Sequence, residues 1–278
     1  MTALASPQPQ DLVITLLGTY VRPYGARVWS GGLVELLAEF GFSDGAARVA
    51  LTRLVRRGLL ARERSGRLVH YRLTPRCERL LAEGDVRIFS LGELGELGGS
   101  DSDGWTVLWH QIPEQRRLER ARLARRLRFL GFGSVQDSVW VSPHDHSAEV
   151  CALLEELEVA ASAVVFVARV GSVDGLAAMV DRAWDLSGLA ARYDAFDAEF
   201  TPYRGRGVRL DDREAFLVRT RLMHLFRGFP ALDPELPDGA GSVSRARAQA
   251  VRTFKVLFER LAPASQRHFE AVTGAYRT

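Results

Sequence analysis

Apolar residues recur along this chain with changing periods, and the changes divide it into modules. Leu12, Val13, Leu16 and Leu17 fall at i, i+1, i+4 and i+5, the stripe of a short amphipathic helix over 11–20, which Pro23 and Gly25 end. Val28 and Trp29 suit a short strand. Ser30 suits the N-cap of a second helix carrying Leu33, Leu36, Leu37 and Phe40 and stopped by Gly41. Ser43 caps a third, which runs to Arg57 and ends at Gly58. Two alternating runs, Leu59 to Arg64 and Arg67 to Leu73, joined at Ser65-Gly66, predict a β-hairpin. Thr74-Pro75 then opens a helix ending near Gly84. Helix, short strand, helix, helix, hairpin is the order of a winged helix-turn-helix.

The period is lost from Leu91 to Gly104, where LGELGELGGSDSDG has the composition of a linker. Beyond it, Trp105 to Ile112 is strand-like and Pro113 begins an arginine-rich helix to Leu130. Ser134 to Ser142 reads as a hairpin pivoting at Gln136-Asp137, Ser147 to Leu157 as a helix, and Ala163 to Val170 as a buried strand. This βαββαβ order is ferredoxin-like. The remainder reads as helices: one through Trp184, Tyr193 and Phe196, one from Asp211 to Phe226, and one from Ser244 to Leu261. The expected fold class is α+β. Its parts are a tail over 1–11, a winged helix-turn-helix over 12–90, a linker over 91–104, a ferredoxin-like domain over 105–173 and a helical C-terminal domain over 174–278.

Composition narrows the function. A length of 278 residues supports a sizeable core in two or three domains. The first ten residues do not resemble a signal peptide, and no apolar run approaches the roughly 18 residues of a membrane span, so a cytoplasmic protein is expected. Cys77 and Cys151 are the two cysteines and fall in different modules, giving neither a CxxC pair nor a disulfide framework. A net charge of +3 is unremarkable until its distribution is considered. From Arg48 to Arg79 there are ten arginines and two glutamates, a net +8 in 32 residues. Such a cluster is the electrostatic footprint of a nucleic-acid partner.

Stepping about 100° per residue around the third helix, Ala47, Ala50, Leu51 and Leu54 make a continuous apolar face. The opposite face holds Gly45, Val49, Thr52, Arg53 and Arg56, with Arg48 on its flank. Small residues permit close approach to bases, arginine suits the acceptor pair of guanine, and threonine suits a thymine methyl or a phosphate. On a lone helix this pattern also describes a solvated face. Arg62, Arg64, Arg67 and Arg72 on the adjoining hairpin weigh toward DNA, since a cationic hairpin there is placed to meet phosphates.

Four phrases carry a family resemblance: TLLGTYVRPYGARVW (15–29), ARVALTRLVRRGLLARERSGRLVHYRLTPR (47–76), WTVLWHQIPEQRRLERARLARRLRFLGFGSVQDSVWVSP (105–143) and LMHLFRGFPALDPELP (222–237). In that order they resemble the PaaX family of phenylacetate-degradation repressors across nearly the whole chain. The resemblance implies a winged helix-turn-helix, a ferredoxin-like middle domain similar to that of CRISPR-adaptation nucleases, and a helical C-terminal domain. It further implies a homodimeric repressor of a double-stranded DNA operator, released by an aryl-acetyl-CoA or related acyl-CoA thioester; that the protein uses no cofactor and is not an enzyme is expected from the lack of a GxSxG, P-loop or GxGxxG motif. Two departures stand out: Asp238 to Ser244 (DGAGSVS) lacks the family's second LLP and tryptophan, and Cys77 stands where glycine is expected.

Other clusters carry weaker chemistry. His144 and His146 are two imidazoles without a convincing third ligand, or a polar turn capping the next helix. The helix 114–130 has seven arginines against Glu114 and Glu119, and is either a second phosphate-binding surface or a solvated or dimer-facing one paired with Glu155, Glu156 and Glu158. Trp184, Tyr193, Arg221, His224 and Arg227 offer the aromatic surface and cations that an aryl-CoA effector requires, or else are core and surface residues. The competing function is a metal-dependent nuclease on the middle domain. It lacks an acidic residue at the end of the first strand, where His110 and Gln111 stand.

Overall fold

The computed structural model describes residues 8–25, 27–92, 104–171, 174–205, 207–236 and 243–274. In chain order these form α1 (Pro9–Leu16), β1 (Val28–Trp29), α2 (Ser30–Glu39), α3 (Asp44–Arg56), β2 (Leu60–Ser65), β3 (Leu68–Leu73) and α4 (Pro75–Phe89). Then follow β4 (Trp105–His110), α5 (Arg117–Phe129), β5 (Gly133–Gln136), β6 (Val139–Ser142), α6 (Ser147–Glu156), β7 (Ala163–Ala168) and α7 (Leu176–Ala183). The rest is helical: α8 (Leu186–Phe200), α9 (Asp212–Phe226), α10 (Val243–Arg260) and α11 (Ala262–Thr273). Helix and sheet are mixed, as an α+β class requires. Among the described residues no helix is long and apolar enough to cross a membrane.

These elements gather into two compact units. One comprises Met1–Phe89, Ala195–Arg227 and Ala250–Thr278; the other comprises Ser90–Asp194 and Gly228–Gln249. The stretch expected as one C-terminal module therefore contributes to both. Of the expected linker, 93–103 lies outside the described residues, as do 1–7 of the tail and 238–242 of the divergent DGAGSVS segment.

In the first unit, the apolar stripes of α1, α2 and α3 meet the inward side chains of the hairpin, Leu60, Tyr71 and Leu73, and close into one core. Strands pair antiparallel in the order β1-β3-β2. Phe216 of α9 and Phe269 of α11 enter the same core, so the C-terminal helices help to form it. Its centre is Tyr20, in a π turn (Leu17–Val21) that continues α1. The ring stacks on Phe269 at 5.0 Å between centroids and lies 5.3 Å from Phe216. The hydroxyl is 2.9 Å from Thr220 Oγ1, and the Arg219 guanidinium lies 5.3 Å from the ring centroid. Burial raises the phenol's pKa, so it stays neutral. Gly32 is the second constraint: a Cβ there would come within 2.6 Å of Thr273 Cα and Val272 O, so only glycine lets α2 lie against the end of α11.

In the second unit a four-stranded antiparallel sheet runs β5-β6-β4-β7. Leu108 and Trp140 face α5 and α6 and bury Leu123, Leu127, Val150 and Leu154 with them. The opposite face packs Val141 with Val180, Trp184 and Leu236. The described part of the DPELP segment, 233–236, is pinned by Asp233, which is almost fully buried. It accepts two hydrogen bonds from Arg247, at 2.6 and 2.7 Å, one from the Tyr193 hydroxyl at 2.7 Å and one from Glu235 N at 2.8 Å. All four acceptor positions of the carboxylate are thereby filled.

Several expectations are corrected. Ser30 is the first residue of α2, with Trp29 in the cap position and no side-chain cap. α4 continues through Gly84 to Phe89, whose partly exposed ring lies 5.9 Å from Phe254 and 5.6 Å from Phe258 between centroids, a contact made at the helix end. β7 is an edge strand with Val164, Phe166 and Val167 exposed, not a buried one, since β4 alone pairs with it. The helix expected through Trp184 breaks there: Trp184 is extended (ψ 143°), its indole N–H donates to Gly131 O at 3.1 Å, and Asp185 Oδ1 accepts from Gly188 N at 2.9 Å to start α8. α11 was not anticipated; its proline lies in the first turn, where it suits a helix start.

Two stability outcomes follow. Gly32→Ala forces backbone apart and is expected to cost about 1–3 kcal/mol in chemical denaturation. Arg247→Met strands a buried carboxylate and is expected to cost about 3–5 kcal/mol. A melting curve unchanged by Arg247→Met would show that the pair does not hold the DPELP loop.

Candidate nucleic-acid interface

α3 is amphipathic in the strict sense that its two faces meet different media. Ala47, Ala50, Leu51 and Leu54 are buried, while Gly45, Arg48, Val49, Thr52, Arg53 and Arg56 are all exposed. Ser43 caps it by accepting from Ala46 N at 3.3 Å. Its last carbonyls are satisfied by Gly58 N to Val55 O and Leu59 N to Leu54 O, which turns the chain directly into β2. Thr52 Oγ1 donates to Arg48 O at 2.8 Å, leaving its methyl and an oxygen lone pair outward. Arg48 has only a loose ion pair to Asp44 at 3.9 Å between exposed groups, which holds it weakly. Val49 is 50% exposed and gives the outward face of α3 a small apolar side chain.

The hairpin sorts its arginines by strand register. Arg62 opposes Tyr71 and Arg64 opposes Val69, so these two lie on the core-facing side of the hairpin, beyond the core's edge. Arg72 opposes Ala61 on the other side and pairs with Glu63 at 2.6 Å. Arg67 follows Gly66, whose φ of 60° makes the tight turn. All four arginines are exposed. Leu68, beside Arg67, is also half-exposed and was not selected from sequence; its signal was the alternation that sets it with His70 and Arg72. The hairpin is tied back to the helix end by Thr74, whose hydroxyl donates to Gly58 O at 2.8 Å and accepts from Cys77 N at 3.2 Å.

The five residues considered for an effector are distributed differently. Trp184 and Tyr193 belong to the second unit, where Trp184 bonds Gly131 and Tyr193 is wholly buried, stacked on Phe229 at 4.1 Å. Arg221, His224 and Arg227 belong to the first unit. Arg221 pairs with Glu199. His224 Nδ1 lies 3.0 Å from Thr15 Oγ1, and Arg227 donates to the same oxygen at 2.9 Å. His144 Nε2 meets Pro234 O at 3.1 Å, anchoring the loop that holds Asp233, and His146 N donates to Thr106 Oγ1 at 2.8 Å. Among the described residues no group of three or more His, Cys, Asp or Glu side chains is disposed to hold a metal ion.

Known proteins resemble the chain along its length. Sequence models match as PaaX-like protein over residues 8–77, PaaX protein central Cas2-like domain over 100–180, and PaaX-like protein C-terminal domain over 184–271. The transcriptional repressor PaaX of Escherichia coli (strain K12) is 28% identical over 265 residues, covering 92% of this chain and 81% of that protein. A solved structure, the uncharacterized protein Rv0674 from Mycobacterium tuberculosis, shares the fold with a TM-score of 0.56 at 22% identity, covering 96% of this chain and 99% of its own.

The Thr15 junction makes a pH prediction. Burial, and then the neighbouring Arg227, push the His224 pKa down to about 4. As pH falls, the unfolded chain takes up this proton near 6.5, before the folded one does. The imidazole's contribution is therefore intact above pH 6.5 and is lost between 6.5 and 4, by about 3 kcal/mol at most. His224→Gln is expected to flatten that part of the stability profile in urea titrations at a series of pH values. An equal pH dependence in both proteins would refute the assignment.

Proposed function

The chain belongs to the PaaX family, and we propose that it is a DNA-binding transcriptional repressor that inserts α3 into the major groove of its operator and steadies itself on phosphates with the β2–β3 hairpin. The observation that carries this is the division of α3: one face is fixed in a core and the other presents Gly45, Val49, Thr52, Arg53 and Arg56, with Arg48 at the flank, to solvent. Rigid backing with a mixed small, methyl-bearing and guanidinium surface is what base-edge reading needs. Arg62, Arg64, Arg67 and Arg72 supply sequence-independent affinity. The order α1, β1, α2, α3, β2, β3 supports reading this part as a winged helix-turn-helix, and the sheet order β5-β6-β4-β7 under α5 and α6 supports a ferredoxin-like second domain.

The same reading makes the protein a cytoplasmic homodimer without catalytic activity, released from DNA by an acyl-CoA thioester, an aryl-acetyl-CoA first among them. What supports this is the sequence resemblance, which extends through the C-terminal region. The residues proposed to meet the effector are taken within each unit by itself: Trp184 and Tyr193 in the second, Arg221, His224 and Arg227 in the first. Each has an internal partner, so an effector would act by replacing those contacts rather than by filling vacant ones.

Selection of bound fragments from genomic DNA by the purified protein tests the reading. Arg53→Ala is expected to weaken the selected site by about 1–3 kcal/mol and to relax its sequence preference. Arg64→Ala is expected to weaken all sequences alike. Retention of full specific affinity by Arg53→Ala would remove that residue from the reading set. A panel of acyl-CoAs in thermal-shift assays is expected to show one class raising the melting temperature, and a flat response across the panel would count against thioester gating.

A further inference from the structure

We propose that α5 in the second unit is a second DNA-contacting surface, binding backbone phosphates through Arg117, Arg122, Arg125 and Arg126. The proposal rests on the reading of the chain as a DNA-binding repressor and adds a contact outside the reading head. From Glu114 to Leu130 the sequence carries seven arginines against two glutamates, a net +5. Three of the seven are committed to the protein itself. Arg116 donates to the carbonyls of Leu157 and Glu158, Arg120 pairs with Glu114 at 2.6 Å, and the Arg128 guanidinium lies 5.2 Å from the centroid of Trp140.

The other four are exposed, and among the described residues none forms an ion pair. The acids that would have neutralised them, Glu155 and Glu156 on α6 and Glu158 after it, make no ion pair with α5 among those residues. Leu123 and Leu127 are fully buried, which turns the four arginines to the solvent half of the helix. Like charges three and four residues apart, as at 122, 125 and 126, disfavour an isolated helix. An anion set against them relieves that repulsion. Leu118, 66% exposed, and Phe129, 38% exposed, share this half and give it apolar surface for sugar edges. Thirteen residues at about 1.5 Å each make a rod about 20 Å long, enough to meet several successive phosphates. Because α5 is joined covalently to the reading head, even weak phosphate contacts there add to overall affinity through effective concentration.

The test uses full-length protein and a double-stranded DNA of mixed sequence, about 40 base pairs, in fluorescence anisotropy over a range of salt. Four proteins are compared: wild type, Arg122→Gln/Arg125→Gln, the quadruple glutamine variant at 117, 122, 125 and 126, and the quadruple lysine variant. Circular dichroism confirms folding of each, and the double variant serves if the quadruple one does not fold. The slope of log affinity against log salt is expected to fall by roughly two to four in the quadruple glutamine variant, from about 0.9 per lost phosphate contact, with affinity reduced at least about tenfold near 0.1 M salt. The lysine variant is expected to restore most of both. Unchanged slope and affinity in the glutamine variants, while Arg53→Ala/Arg56→Ala weakens binding, would overturn the α5 proposal and leave the reading head standing. No DNA binding by wild type would overturn both. Loss of self-association in the glutamine variants, with the salt slope intact, would assign the surface to a second copy of the chain and overturn the proposal as well.

Discussion

The packing of Tyr20 between Phe216 and Phe269 is the contact on which the rest of the first unit depends. A phenol ring buried at 5 Å from two others contributes apolar area and ring-ring attraction, and its hydroxyl needs a partner in a place without water. Thr220 supplies that partner from α9, two hundred residues further along the chain. The first helix cannot therefore complete its core without the C-terminal helices. Gly32 against the Thr273 backbone and Glu39 with His268 and Arg213 repeat the dependence at α2. Since α1 and α2 are the surface on which α3 rests, the exposed face of α3 is aimed by residues from both ends of the sequence.

Charge is sorted by the same logic of solvation. Arg247 is buried because Asp233 meets it with two oxygens, and Arg219 because it donates to Phe258 O and lies 4.0 Å from the Phe258 ring centroid. Desolvation lowers the Arg219 pKa, and the carbonyl acceptor at the end of α10 offsets part of that cost for a guanidinium, which proteins keep protonated. On α3 and the hairpin tip the opposite holds: guanidiniums stand in water with few or loose partners. Internal arginines have geometry to satisfy and external ones have a field to offer.

Local periodicity made the first ninety residues legible. In α3 the apolar stripe, the Ser43 cap and the Gly58 stop are each written in residues close together in sequence, and every residue nominated there for DNA lies on the surface. What could not be read was long-range. Nothing near Gly84 announces that Phe89 will find Phe254, so the helix appeared to end early. Nothing in AVVFVARV distinguishes an edge strand from a central one, because exposure at β7 is decided by which strands pair beside it. In the C-terminal region Tyr193 and Arg227 suggested a pocket by their chemistry, while their partners Asp233 and Thr15 are distant in sequence and could not be read.

That engagement bears on how a change at α9 would reach α1 and α3. α9 carries Phe216 and Thr220 into the core behind α1, and a turn or two later His224 and Arg227 share the Thr15 hydroxyl on α1 itself. Thr15 Oγ1 also donates to Asp11 O, so one hydroxyl joins three polar groups at the helix surface. A ligand that draws the Arg227 cation or the neutral His224 imidazole away from Thr15 must leave buried polar groups unpaired or move α1, and each orphaned group costs about 1–3 kcal/mol. Energies of that size match typical couplings between an effector site and a distant binding surface. Because α1 and α3 pack in a single core, a displacement of α1 cannot be absorbed locally and changes the support beneath Arg53 and Arg56.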